Sequence, residues 1–159
     1  MRIEETKQLT TDFDWFGVDE EGFLAHFASA GFKRVPASVS ESAEDLVLVC
    51  NYFKTEAPVR GAHRVDEDLV GLRPDWKGEQ NESRYLKSFV AMADLGLFSF
   101  DIDSYLKPGI AYFRVACPLS PLGLEQLPEP VRRIIARTRL AGVSLRSQSL
   151  IAYEATLEM

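Results

Sequence analysis

The chain has 159 residues, of which 46% are apolar, 11% aromatic and 26% charged. These values are typical of one globular domain, and they exclude disordered, collagen-like and coiled-coil proteins. The net charge of −6 disfavours general binding to nucleic acids or anionic membranes, because both require a cationic protein surface.

The first predicted elements are an arm and a hairpin. Residues 1–11 are polar, and we expect them to form a loose N-terminal arm. An aromatic run at 13–18, a turn of sequence D-E-E-G and a second apolar run at 23–28 follow. Two β-prone runs joined by a short turn with glycine are typical of a β-hairpin, and we predict one here.

A helix is predicted after the hairpin. Ser38 and Glu41 match a capping box, in which the hydroxyl and the carboxylate each accept a backbone N–H at a helix start. Apolar residues then recur at the spacing of one helix face, at Leu46, Val49, Cys50 and Phe53. The continuous apolar run at 46–49 also fits a buried strand, and we favour the helix because of the cap and the length.

A long irregular excursion and a second helix come next. Residues 55–81 contain three glycines and two prolines, and we expect an irregular segment with a short helix near 65–70. A helix is predicted from residue 81, because apolar residues recur at helical spacing between Leu86 and Ala93. Gly96 follows where a left-handed C-terminal cap is expected.

The C-terminal part predicts a second hairpin over 97–117, a short amphipathic helix over 131–138 and one or two closing strands within 143–157. This order lacks the regular alternation of strand and helix that builds a doubly wound sheet. We therefore predict a single α+β domain over residues 1–159. Its sheet is mainly antiparallel and built from hairpins, with about three helices packed on it.

Candidate catalytic groups are few. Asp101 and Asp103 lie two residues apart in a predicted strand, so they share a face and could hold a divalent cation. His26 and His63 are the only histidines, and neither belongs to a metal-binding spacing. The sequence has no G-x-S-x-G elbow and no glycine-rich phosphate loop. We expect no catalytic residue, no metal and no cofactor.

The two cysteines indicate a compartment. Cys50 and Cys117 each lie in an apolar run, so we predict free buried thiols, a usage that fits a reducing cytoplasm. The first five residues contain acids and no apolar stretch, so we expect no signal peptide. No apolar run approaches the roughly 18 residues of a membrane span, and we expect no contact with a membrane.

Charged side chains give two candidate surfaces. Residues 1–70 carry 14 acids and 7 Lys or Arg, whereas residues 71–159 carry 10 and 11. Acids grouped near aromatic residues are typical of an interface with a basic protein, and the predicted contact residues are Asp19, Glu20, Glu21, Asp66, Glu67, Asp68 and Trp76. Four arginines, at 132, 133, 137 and 139, cluster on the predicted third helix, which favours either RNA binding or a solvated helix face.

The run from residue 14 to 32 reads D-W-F-x-x-D-x-x-G-x-[aliphatic]-A-x-F-x-S-x-G. This run, with Y-F-R-V-A-C-P at 112–118 and the pairs P-L at 121 and L-P at 127, resembles the immunity proteins that accompany bacterial polymorphic toxins. The resemblance implies a cytoplasmic protein that binds and blocks one cognate toxin. It assigns no functional residue. The alternatives are a small metal- or ligand-binding enzyme domain using Asp101 and Asp103, or an RNA-binding module using the arginine helix.

Overall fold

Seven strands form one mixed sheet at the centre of the computed structural model, which describes residues 1–31, 33–69, 79–102 and 111–159. The strands are β1 (Asp14–Asp19), β2 (Leu24–Ala28), β3 (His63–Val65), β4 (Phe98–Ile102), β5 (Ala111–Pro118), β6 (Arg139–Leu140) and β7 (Leu150–Ala152). Their order is β3-β5-β4-β2-β1-β6. Strand β7 also pairs with β5, at residues 111–113, whereas β3 pairs with residues 116–118. Four of the six pairings are antiparallel.

The helices of the described residues flank this sheet. They are α1 (Glu5–Gln8), α2 (Ala37–Ser40), α3 (Ala43–Asn51), α4 (Glu79–Asp94), α5 (Glu129–Ile135) and α6 (Tyr153–Leu157). A π-helical turn over Tyr52–Glu56 continues α3. The α+β class and the mainly antiparallel sheet with three longer helices are confirmed. Within the described ranges, no helix has the length and hydropathy needed to cross a membrane.

The two predicted hairpins are joined side by side. In the first, Trp15 of β1 lies opposite Phe27 of β2, and in the second β4 pairs with β5. A parallel pairing of β2 with β4, which sets His26 opposite Ser99, connects the hairpins. The four central strands therefore come from two distant parts of the chain.

Both faces of the central strands are buried. On one face Trp15 stacks on Phe27 with 4.0 Å between ring centroids, and Phe27 stacks on Phe100 at 5.1 Å. The N-terminal segment and the loop at 143–149 cover this face. Helices α3, α4 and α5 cover the other, where Phe16 of β1 stacks on Phe53 of the π-helical turn at 4.9 Å. Full burial of each such side chain contributes roughly 1.5–3 kcal/mol to the stability of the fold. These two apolar layers therefore hold the sheet against the segments that pack on its faces.

The first long helix begins later than the sequence predicts. Ser42, in extended conformation with φ −144°, caps α3 by accepting the N–H of Asp45 at 3.1 Å. The predicted capping box is wrong, because the Ser38 hydroxyl instead bonds Thr138 and the carbonyl of Met159. The helix over Leu46 and its neighbours is confirmed, and the alternative strand is wrong.

The chain termini are more ordered than the sequence suggests. Residues 1–11, expected to be a loose arm, contain α1, and Ile3 and Gln8 are buried. The Gln8 side chain donates to the carbonyl of Ile3 and accepts from the N–H of Val35, which ties the segment to the domain. At the other end, residues 143–157 include strand β7 but then form helix α6, so the prediction of strands alone is wrong there.

The excursion at 55–81 is described only in part. It contains the end of the π-helical turn, strand β3 and the first turn of α4. Strand β3 ends at Val65, where the short helix predicted near 65–70 would begin; residues 67 and 68 form a turn and Leu69 is helical. Residues 70–78 lie outside the described residues. Gly96 has φ +102°, and the predicted left-handed residue after α4 is confirmed.

Candidate functional site

The β1–β2 turn exposes two of the predicted contact carboxylates and buries a third. Asp19 is 1% exposed, and its Oδ1 accepts the backbone N–H groups of Glu21 at 3.0 Å and Phe23 at 2.9 Å. Glu20 and Glu21 are exposed. Asp19, expected among the contact residues, instead shapes the turn that presents its two neighbours.

The turn after β3 follows the same plan. Asp66 is 5% exposed, and it accepts the N–H of Asp68 at 3.0 Å and the Nε–H of Arg114 at 2.7 Å. Glu67 and Asp68 are exposed. Asp66 is therefore half of a buried ion pair, and the exposed charge of this turn comes from its neighbours. Trp76, the last predicted contact residue, lies outside the described residues.

One loop anchors both acidic turns. The N–H of Leu145 donates to Oδ2 of Asp19 at 3.0 Å, and its carbonyl accepts Nη1 of Arg114 at 2.8 Å. Glu20 accepts the N–H of Gly142 at 3.1 Å, which ties the first turn to the start of the same loop. The structure thus brings together two acidic turns that are more than forty residues apart in sequence. We call Glu20, Glu21, Glu67 and Asp68 the exposed carboxylates of the acidic turns.

A second polar group lies on the helix-covered face and was not predicted. His26 is 1% exposed, and its Nε2 lies 2.7 Å from Oδ1 of Asp14 while its Nδ1 lies 2.7 Å from the hydroxyl of Ser99. These three side chains stand on β1, β2 and β4, so the chain of hydrogen bonds crosses three strands. Serine, histidine and aspartate are the residues of a nucleophilic triad, but Ser99 is 0% exposed and no substrate can reach its hydroxyl in this conformation. The arrangement therefore acts here as a set of hydrogen bonds that links β1, β2 and β4.

Asp14 is the exposed end of this chain. Its side chain is 33% exposed, and its second oxygen, Oδ2, lies 3.4 Å from Nζ of Lys54 on the π-helical turn. Burial disfavours the ionised carboxylate, but the hydrogen bond from His26, with the charges of His26 and Lys54, outweighs burial and lowers the pKa of Asp14. Asp14 thus stays ionised into the acidic range. π-Helical turns, such as the one that carries Lys54, are rare in proteins overall, but those that occur are often found at functional sites.

The predicted cation site is described only in part. Asp101 accepts the Tyr85 hydroxyl at 2.7 Å and the N–H of Ile102 at 2.8 Å, and Asp103 lies outside the described residues. The other histidine, His63, bonds Asp94 at 2.8 Å. Among the described residues, no group of three or more His, Cys, Asp or Glu side chains could hold a metal ion.

The four arginines predicted on one helix are divided in the structure: Arg132 and Arg133 lie in α5, but the helix ends at Ile135, so Arg137 follows it and Arg139 lies in β6. Three of the four pair with acids of the same chain. Arg137 forms an ion pair with Asp45 of α3, and Arg132 lies 3.4 Å from Glu125. Arg133 lies 3.9 Å from Glu129 one turn earlier. Each pair lowers the positive potential that a nucleic-acid phosphate would meet at this helix.

Both cysteines are free, as predicted. Cys117 is buried and Cys50 is half-buried, with its thiol 3.6 Å from the carbonyl of Asp14. Burial, with the negative charge of Asp14, raises the pKa of Cys50 to about 11. Burial also raises the pKa of Cys117. Neither thiol is activated as a nucleophile at neutral pH.

In comparisons with known proteins, no family model, no curated protein and no solved structure matches this chain. Sequence reasoning missed Asp14, Ser99, Arg114 and Lys54. The only available signal was that a histidine lies within an apolar strand, since buried histidine requires polar partners.

Proposed function

We propose that this chain is a non-catalytic, cytoplasmic immunity-type protein that binds a cognate bacterial toxin and occludes the active site or substrate surface of that toxin. The contact surface is formed by the exposed carboxylates of the acidic turns. The toxin is basic at this contact, since many antibacterial toxins act on nucleic acids and carry cationic surfaces for that purpose.

The observation that carries the proposal is that each acidic turn has one buried aspartate and two exposed carboxylates. Asp19 and Asp66 are buried and bound to backbone N–H groups or to Arg114, and each leaves two neighbouring carboxylates exposed. Holding both turns on Leu145 reduces the conformational entropy that a partner would have to remove on binding. Rigid, like-charged turns also steer a cationic protein toward rapid association.

Co-expression with the product of the adjacent gene tests the proposal. We expect that product to stop growth when expressed alone, and expect growth to recover when this chain is present. The double variants Glu20→Lys/Glu21→Lys and Glu67→Lys/Asp68→Lys should each weaken the complex by tenfold or more. The matched control is Glu154→Lys/Glu158→Lys, which makes the same change of charge on two exposed residues, one in α6 and one directly after it.

Several outcomes would refute the proposal. One is a neighbouring product that is harmless alone, and another is the absence of a complex in gel filtration. Equal loss of binding in the control variant would mean that only net charge matters. Circular dichroism of each variant must show an intact fold, because Glu20 and Glu21 also bond the loop at 142–144.

The alternative functions have direct tests of their own. A metal-binding enzyme domain using Asp101 and Asp103 predicts that a divalent cation raises the melting temperature and that Asp101→Asn abolishes the rise. An RNA-binding module predicts retention on heparin at physiological salt. The ion pairs of Arg132 and Arg137 with acids of the same chain favour the immunity-type function over this module.

A further inference from the structure

A groove of about 320 Å³ lies between the N-terminal segment and α3. Its apolar lining includes Phe13, Leu46 and Val47, and Val47 is 56% exposed. The groove runs past Asp14 and Lys54, so the exposed end of the His26 hydrogen-bond chain opens into it. It lies at the opposite end of β1 from the first acidic turn.

The Asp14 carboxylate is built to receive a cation in this groove. Oδ1 is held by His26 from the buried side, which fixes the orientation of the carboxylate. Oδ2 forms an ion pair with Lys54 at 3.4 Å, and both residues line the groove. A partly desolvated carboxylate with one oxygen held by a histidine and the other by an exposed lysine can accept another charged donor in place of that lysine.

Lys54 shows that the position accepts an ammonium group on an aliphatic stem. Its side chain is 55% exposed, and exposed ion pairs of this kind contribute little to stability. A cation from another molecule can therefore replace Lys54 at small cost. The other charged groups of the groove are Lys7, which is exposed, and Asp12, whose Oδ1 accepts the N–H of Ala30 at 2.8 Å.

We propose that this groove binds a lysine or arginine side chain of a partner protein, with the cationic group on Asp14 in place of Lys54 and the aliphatic stem along the apolar lining. Cationic side chains with long stems are common anchors at protein interfaces, because one residue fills an apolar groove and satisfies a carboxylate. The inference goes beyond the proposed function, because it concerns a different surface and does not require the partner to be a toxin.

The test uses two small probes of the same shape. N-acetyl-arginine amide carries the charge, and N-acetyl-citrulline amide is its neutral analogue. The imidazole ¹H–¹⁵N signals of His26 report binding, since Nε2 contacts Asp14 directly. We expect a saturable shift with the arginine probe and binding at least tenfold weaker with the citrulline probe, the ratio that one charge-assisted hydrogen bond gives.

Variants should change the affinity for the arginine probe in opposite directions. Asp14→Asn should weaken binding about tenfold, whereas Lys54→Met should strengthen it, because the internal competitor is gone. Lys87→Met makes the same charge change at an exposed site on α4 and should leave the affinity unchanged. Val47→Lys, at an exposed position, should weaken binding even if Asp14→Asn fails to fold.

Three results would overturn the inference: no saturable shift, equal binding of the citrulline probe, or equal affinities of the Lys54→Met and Lys87→Met variants. Each of these leaves the proposed function standing, because the growth assay depends on the acidic turns. Conversely, loss of toxin protection in the Glu67→Lys/Asp68→Lys variant would have no bearing on the inference about the groove.

Discussion

The buried ion pair between Asp66 and Arg114 gives the sharpest test of how the acidic turns are held. The side chains are 4% and 9% exposed, and Nη1 of Arg114 also donates to the carbonyl of Leu145. Removing one member of a buried pair leaves an uncompensated charge, which costs about 3–5 kcal/mol. Asp66→Asn keeps an oxygen acceptor for the guanidinium, so we expect the low end, about 3 kcal/mol. At this chain length that corresponds to a fall in melting temperature of roughly 6–12 °C.

A double-mutant cycle in urea separates this effect from simple loss of packing. Arg114→Met leaves the Asp66 carboxylate unpaired, and we expect it to cost about 4 kcal/mol. The double variant should be more stable than the sum of the two losses by about 2 kcal/mol. Additivity within about 0.5 kcal/mol would refute the reasoning, because it would mean that the two charges do not interact. The exposed pair Arg133 and Glu129, at 3.9 Å, is the control and should show almost no coupling.

Three further predictions concern single residues. Because the pKa of Asp14 is lowered on folding, its ionised form stabilises the folded state at pH values above the ordinary carboxyl pKa of 3.8. In urea unfolding at pH 7, the free energy of unfolding of the wild type should therefore exceed that of Asp14→Asn by about 1 kcal/mol. This difference should vanish as the pH falls through the folded-state pKa, and a constant difference down to pH 2 would contradict the prediction. Gly96→Ala should lower the melting temperature more than Gly22→Ala, because both have positive φ but only the Cβ at 96 meets atoms, at 2.7 Å; equal losses would contradict the clash. Cys50 should react slowly with iodoacetamide at pH 7 in the folded protein and rapidly in urea, and a fast folded-state reaction would show that burial does not raise the pKa of this thiol.

Local chemistry in the sequence was sufficient for the hairpins and the longer helices. Alternating or helical spacing of apolar residues predicts the elements around Phe27, Leu46 and Phe89, because each pattern matches one regular backbone geometry. The start of α3 was harder to predict. The sequence predicts Ser38 as its cap, whereas the structure uses Ser42, whose extended backbone lets its hydroxyl accept the N–H of Asp45.

The pairing of the two hairpins depended on the tertiary structure. Parallel pairing of β2 and β4 joins segments about 70 residues apart, and nothing in either strand alone selects its neighbour. That pairing places Ser99 beside His26 and so creates the polar chain that ends at Asp14. A sequence pattern cannot reveal such a chain, because its members are individually ordinary strand residues.

The sequence by itself determined the class of fold, the excess of negative charge and the first of the two acidic turns, whereas around Asp66 it predicted a short helix. Only the tertiary structure decided which carboxylates face solvent. Asp19 and its neighbour Glu20 both carry a carboxylate. Asp19 is buried, where the N–H groups of Glu21, Phe23 and the distant Leu145 replace its hydration, whereas Glu20 stays exposed although it accepts the N–H of Gly142. The physical reason is that burial of a charge requires a partner close in space, and the distance between residues in the sequence does not determine their distance in the fold.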